Sequence, residues 1–141
     1  WGSPTLEELR LAATALVSLV DNWQDSVKMT STTFDIVGFS QGAALATTIA
    51  ALHPSRVDKV AVLSGFIPPG VDSLLRPGLL DDARFFWAHG KEDELVPIER
   101  GMESIKLLED AGAKVHLCLA DIGHKVSKDC RRALDAFLSE K

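Results

Sequence analysis

Gly38-Phe39-Ser40-Gln41-Gly42 lies between a short apolar run, Phe34 to Phe39, and an alanine-rich stretch, Ala43 to Leu52. The run has the length of a strand and the stretch that of a helix, so Ser40 falls at a strand-to-helix turn. Gly-x-Ser-x-Gly in that setting is the nucleophile elbow. The turn forces serine into a strained backbone conformation with its hydroxyl thrust outward, and the glycines let neighbouring backbone pass close by. The helix that follows points its positive end at Ser40, which favours the negative charge an attacking alkoxide delivers to a carbonyl oxygen. Alone, the pattern is weak, because glycine and serine also make ordinary turns. The flanking strand and helix turn it into a reading of chemistry.

Working outward, Ser3-Pro4-Thr5-Leu6-Glu7-Glu8 reads as a helix start, with Ser3 and Thr5 as candidate caps and acids in the first turn. Leu6, Leu9, Ala13, Leu16, Val17 and Val20 keep helical spacing to about Asp21. The helix after the elbow stops before His53-Pro54, since proline disfavours helical geometry in the residue preceding it. Further strands are expected at Val57 to Leu63, Arg84 to Ala88 and Lys114 to Ala120. A helix begins at Pro97, with Ile98, Met102, Ile105 and Leu108 on one face and Gly112 as its stop. Ser127 caps a last helix whose buried stripe is Cys130, Ala133, Leu134, Phe137 and Leu138. Short strands alternating with helices imply one α/β domain over residues 1–141: a parallel sheet of about four strands, helices on both faces and right-handed crossovers. Pro68 to Asp82 breaks the rhythm, mixing prolines and glycines with Leu74, Leu75, Leu79 and Leu80. It reads either as a lid or pocket wall, or as a short helix covering the sheet.

Composition narrows the function. A chain of 141 residues that is 46% apolar and 25% charged can bury one real core. Its formal charge of −5 argues against nucleic acid, whose phosphates want a basic face. No apolar run approaches the roughly 20 residues a bilayer span needs, and nothing at the start reads as a signal peptide. Cys118 and Cys130 form neither a disulfide framework nor a zinc site by spacing, and read as buried reduced thiols. A cytoplasmic setting follows. The first residue is Trp1 rather than methionine, which implies upstream sequence that is not in the chain.

A serine hydroxyl needs a base to take its proton, and the base needs an acid to orient it. In a parallel sheet such groups gather at the carboxyl ends of the strands. His53 reads as a helix stop and His116 lies inside a strand. His89 ends a strand, but its neighbour Gly90 suggests a tight turn. His124, just past the fourth strand, is the preferred base. For the acid, Lys91-Glu92-Asp93-Glu94 follows the third strand, and Asp93 is preferred because Leu95-Val96-Pro97 anchors the turn behind it. Glu92 and Glu94 read as solvated, Asp121 as shaping the loop beside His124, and Asp35 as pointing away by strand alternation. The order Ser40, Asp93, His124 is nucleophile, acid, histidine. Gln41 N–H is the candidate oxyanion donor. Phe66, Ile67, Leu74 and Leu75 are candidates for the acyl pocket, from their place after the second strand.

Several stretches together resemble the phospholipase/carboxylesterase family, which includes the acyl-protein thioesterases. They are Phe39-Ser40-Gln41-Gly42-Ala43-Ala44, Ser64-Gly65-Phe66-Ile67-Pro68, His89-Gly90 with Asp93 and Val96-Pro97, and Gly123-His124. The resemblance runs in order from Phe34 to the end. It implies an α/β-hydrolase core that cleaves carboxylic esters or thioesters through an acyl-serine intermediate. No metal or organic cofactor is expected, because the nucleophile comes from the protein. Relative to that family the chain is expected to lack the strands ahead of the elbow strand. With them would go the loop, usually marked by a His-Gly pair, that carries a second oxyanion donor; losing one donor lowers turnover by roughly a hundred- to a thousand-fold. The elbow strand would then be an open edge, and a homodimer is the expected way to cover it. The alternative reading is a hydrolase scaffold with weak or silent catalysis, acting by association with itself or with a completing partner.

Overall fold

The computed structural model describes residues 4–141. Its elements are α1 (Leu6–Ser26), β1 (Phe34–Phe39), α2 (Gln41–Leu52), β2 (Val57–Leu63), β3 (Arg84–Gly90), α3 (Ile98–Asp110), β4 (Lys114–Ala120) and α4 (Lys128–Ser139). Single 3-10 turns occupy Pro54–Arg56 and Asp72–Leu74. Thr5 caps α1 in a full capping box with Glu8; the other cap candidate, Ser3, lies outside the described residues. Five residues more than the expected helix, to Ser26, stay helical because Gln24 is buried and tied to Thr33 O at 3.4 Å and to Arg56, itself paired with Asp21 at 2.6 Å.

The four strands pair in parallel in the order β1-β2-β3-β4. Adding each new strand on the same side with right-handed crossovers sends every crossover over one face. That face holds the main core: Ala13 and Val17 of α1, Ile49 and Ala50 of α2, and Ile105 and Leu108 of α3 meet Val60, Val62, Phe85 and Trp87. Burying each large side chain there contributes about 1.5–3 kcal/mol. Residues of alternate parity, Ala61, Leu63, Phe86 and Ala88, face the other way, against Cys130, Leu134 and Phe137 of α4. Lys59, also on that side, is buried; its Nζ donates to Leu138 O at 2.9 Å and to Glu140 O, holding the end of α4 against β2. Helices on both faces of a four-stranded parallel sheet are thus observed as expected.

The segment from Pro68 to Asp82 contains no α-helix. Pro68, Val71 and Leu80 are buried, and Leu74, Leu75 and Leu79 are half-buried against the main core, so its apolar residues act as a cover. At the opposite side of the sheet β1 is an edge strand among the described residues, with Val37 48% and Phe39 45% exposed. Leu11, Leu19 and Trp23 likewise face outward from α1.

One expectation is overturned. Cys118 and Cys130 are not free thiols; they form a disulfide, with Cα atoms 5.7 Å apart. The residues lie 12 apart in sequence, on β4 and on α4, and the return of α4 across β4 brings their Cα atoms into bridging range.

Candidate active site

Three loops at the carboxyl ends of β1, β3 and β4 bring the site together. The first is the elbow. Ser40 has φ 54° and ψ −114°, a conformation L-residues occupy at a cost of about 1–3 kcal/mol. Its N–H donates to Leu63 O at 2.9 Å and its C=O accepts from Ala43 and Ala44, so the ladder and α2 clamp it from both sides. Gly38 is needed because a Cβ there would lie 2.3 Å from the Gly42 carbonyl oxygen. Gly42 differs from the expectation: a Cβ there would meet nothing within 4 Å among the described residues.

The second loop carries Asp93, whose side chain is fully buried. Its Oδ1 accepts from Leu95 N–H at 2.9 Å and Val96 N–H at 2.8 Å, leaving Oδ2 free to face His124. Burial works to raise the pKa of this carboxyl. The Val96 bond, the bond and positive charge of His124, and the Leu95 bond outweigh it and hold Asp93 below the ordinary 3.8.

His124 closes the set. Its Nδ1 lies 2.7 Å from Asp93 Oδ2 and its Nε2 lies 3.0 Å from Ser40 Oγ. With Asp93 ionised, Nδ1–H donates to the carboxylate, which leaves Nε2 as the acceptor for the serine O–H. Phe39 packs against the imidazole in a tilted arrangement, 5.0 Å between ring centroids, a contact not foreseen from the sequence although the residue directly precedes the serine. The expected trio, Ser40, Asp93 and His124, is therefore within hydrogen-bond reach in one line. Gln41, first residue of α2, has no intrahelical acceptor for its N–H, which opens beside Ser40.

The competing candidates are occupied elsewhere. Glu92 and Glu94 are exposed, Asp121 pairs with Lys91 at 3.5 Å, and Asp35 Oδ1 accepts from Lys59 N–H at 3.2 Å. His89 is buried and bonded to Trp87 and Val96. Of the four residues expected to line a pocket, Phe66 is buried against Ala44 and Val96 with the Arg100 guanidinium 3.8 Å from its ring centre. Ile67 is in the main core, its N–H donating to Ser104 Oγ at 2.9 Å. Leu74 and Leu75 sit in the cover already described. Among the described residues no group of acidic, histidine and cysteine side chains has the arrangement of a metal site, and no helix is long and apolar enough to cross a membrane.

Comparison with known proteins gives the family. The family described as Phospholipase/Carboxylesterase matches residues 6–141. A probable carboxylesterase of Arabidopsis thaliana, SOBER1-like, is 28% identical over 144 aligned residues, 99% of this chain and 54% of its own length. A rice protein named a probable inactive carboxylesterase is 32% identical over 93 residues, 64% of this chain and 38% of its own length. Among solved structures, SOBER1 of Arabidopsis thaliana superposes with a TM-score of 0.80 at 25% identity, covering 95% of this chain and 64% of SOBER1. The chain thus spans roughly half the length of the curated relatives it matches.

Proposed function

The chain belongs to the phospholipase/carboxylesterase family, and on that premise we propose that it hydrolyses carboxylic ester or thioester bonds through an acyl-serine intermediate. The observation that carries this is the unbroken line Ser40 Oγ, His124 Nε2, His124 Nδ1, Asp93 Oδ2, with gaps of 3.0 and 2.7 Å. His124 takes the serine proton as Oγ attacks the acyl carbon, and Asp93 stabilises the imidazolium that forms. Gln41 N–H donates to the oxyanion. The proton then passes from His124 to the departing alcohol or thiol; water, deprotonated by the same imidazole, releases the acid and restores Ser40. Phe66, packed on Ala44 beside the elbow, is assigned to the acyl side.

Ser40→Ala tests the reading. Hydrolysis of a short-chain nitrophenyl ester and labelling by a fluorophosphonate should both vanish while the melting temperature holds. Activity that survives the substitution puts the chemistry elsewhere.

A second reading, a hydrolase scaffold with little catalysis, is favoured by one observation: a relative bears the name inactive. Fluorophosphonate labelling of the unaltered protein separates the two, because it reports an activated serine whatever the substrate. The reading extends to self-association. Two copies joined antiparallel along β1 would pair the edge and shield Val37 and Phe39. A monomeric mass by light scattering would remove that part. As for location, the disulfide argues against the reducing cytoplasm expected from the sequence.

A further inference from the structure

We infer that His89 is a positioning residue for Asp93, holding the turn that aims its carboxylate at His124; the inference rests on the assignment of Asp93 as the orienting acid. His89 is the next-to-last residue of β3, four residues before Asp93, and is 2% exposed. Trp87 Nε1–H donates to its Nδ1 at 3.2 Å. Indole nitrogen only donates, so Nδ1 is the acceptor and the ring hydrogen sits on Nε2. Nε2–H therefore donates to the Val96 carbonyl at 2.8 Å. Val96 is also the residue whose N–H holds Asp93 Oδ1 at 2.8 Å. The line thus runs from Trp87 through His89 to Val96, then through Asp93 and His124 to Ser40.

Several features separate this from a core histidine that is merely satisfied. The ring is confined on its far side by α3, where a Cβ on Gly101 would lie 2.8 Å from Nδ1 and 3.0 Å from Cε1. The start of the turn is held by Glu92 N–H on Ile122 O at 3.0 Å and Asp93 N–H on Gly90 O at 3.2 Å, but its far end is open: Leu95 is 72% exposed, Glu94 and Pro97 are exposed, and Val96 is the buried apolar residue that His89 holds. His89 Nε2 also lies 3.8 Å from Asp93 Oδ2, the oxygen that faces His124. A ring that turns or shrinks frees the Val96 carbonyl, and the carboxylate loses the backbone that sets its angle. A misplacement of about 1 Å at such a site costs up to about a hundredfold in rate.

The experiment compares His89→Leu, which removes both bonds, with His89→Gln, whose amide keeps a donor for Val96 O. Gly101→Ala pushes the ring from α3 without touching the turn. Thermal melting, kcat and KM for a nitrophenyl ester, and the far-downfield proton resonance of His124 Nδ1–H are read for each. His89→Leu is expected to lower kcat about 10- to 100-fold with KM within about twofold, and to weaken the resonance. His89→Gln should recover most of kcat. A folded His89→Leu protein with unchanged kcat, a loss confined to KM, or a Gln variant as poor as Leu overturns the inference. If His89→Leu does not fold, Gly101→Ala decides in its place: a cooperative melt with lowered kcat supports the inference, and unchanged kcat overturns it. Hydrolysis by the unaltered protein that ignores Ser40→Ala counts against the ester-hydrolase reading instead, and the resonance still decides the role of His89.

Discussion

Ser40 and Ser64 each stand one step past the last paired residues of neighbouring strands, Phe39 and Leu63, and both have positive φ, 54° and 50°. Each N–H extends the ladder by one bond, Ser40 to Leu63 O at 2.9 Å and Ser64 to Ala88 O at 2.8 Å, before the chain turns. The consequences diverge at the hydroxyls. Ser40 Oγ meets His124, whereas Ser64 Oγ is buried with no hydrogen-bond partner among the described residues.

An unpaired buried hydroxyl costs about 1–3 kcal/mol of desolvation. Ser64→Ala removes the hydroxyl and keeps the backbone, so it should stabilise the protein by about 1 kcal/mol. Ser64→Gly should add a further gain, since glycine accepts positive φ without penalty. Urea unfolding of the three proteins measures both steps. A destabilised Ala variant would mean that the hydroxyl has a partner in solution.

The two glycines of the elbow should behave oppositely. A methyl at Gly38 meets backbone, with the Gly42 carbonyl oxygen 2.3 Å and its carbon 2.5 Å away, and neither can retreat without dismantling the turn. Gly38→Ala is expected to cost about 3 kcal/mol or more and to abolish activity, by analogy with overpacking in a filled core. Gly42→Ala enters open space in the first turn of α2, and its stability should stay within about 0.5 kcal/mol of the original. Equal losses in the two variants would show that the space beside Gly42 is filled in solution.

What could be read from the sequence depended on how local the cause was. Ser40 was legible because strand, glycine and helix are contiguous around it. That His124 comes within hydrogen-bond reach of Ser40, and Asp93 of His124, was legible because chain order and strand ends narrow the choice to a few side chains. The Cys118–Cys130 bond was not, because a spacing of 12 says nothing of how α4 crosses β4. Nor was the buried ammonium of Lys59, whose acceptors lie 79 and 81 residues away. Leu74 and Leu75 have apolar side chains whether they line a pocket or cover a core; only packing distinguishes the two, and it places them in the cover.

Asp93 should make stability fall in acid. Its folded pKa lies below the ordinary 3.8, so the native state favours the carboxylate. The unfolded chain binds a proton first as pH falls, and the contribution of this group is full above the unfolded value and lost as pH drops through the lower folded one. Denaturation of the original protein and of Asp93→Asn between neutral pH and about pH 3 should therefore give a difference that is constant near neutrality and narrows in acid. A gap that widens with acidity would contradict the direction of the shift.

The disulfide should matter for the loop it closes. Cys118 on β4 and Cys130 on α4 bracket the segment that carries His124, the bridged positions lying 12 apart in sequence. Cross-linking a loop of about 15 residues removes unfolded-state entropy equivalent to about 3 kcal/mol. Replacing both cysteines with alanine should cost about 2–3 kcal/mol, and reductant should lower the melting temperature of the original protein but not that of the double variant. Amide exchange separates the local effect from the global one. Residues 121 to 127 should lose protection first on reduction, while β2 and β3, buried between two layers of helices, keep theirs until global unfolding. Identical melting with and without reductant, in protein shown by thiol assay to be reduced, would leave the bridge without a structural role.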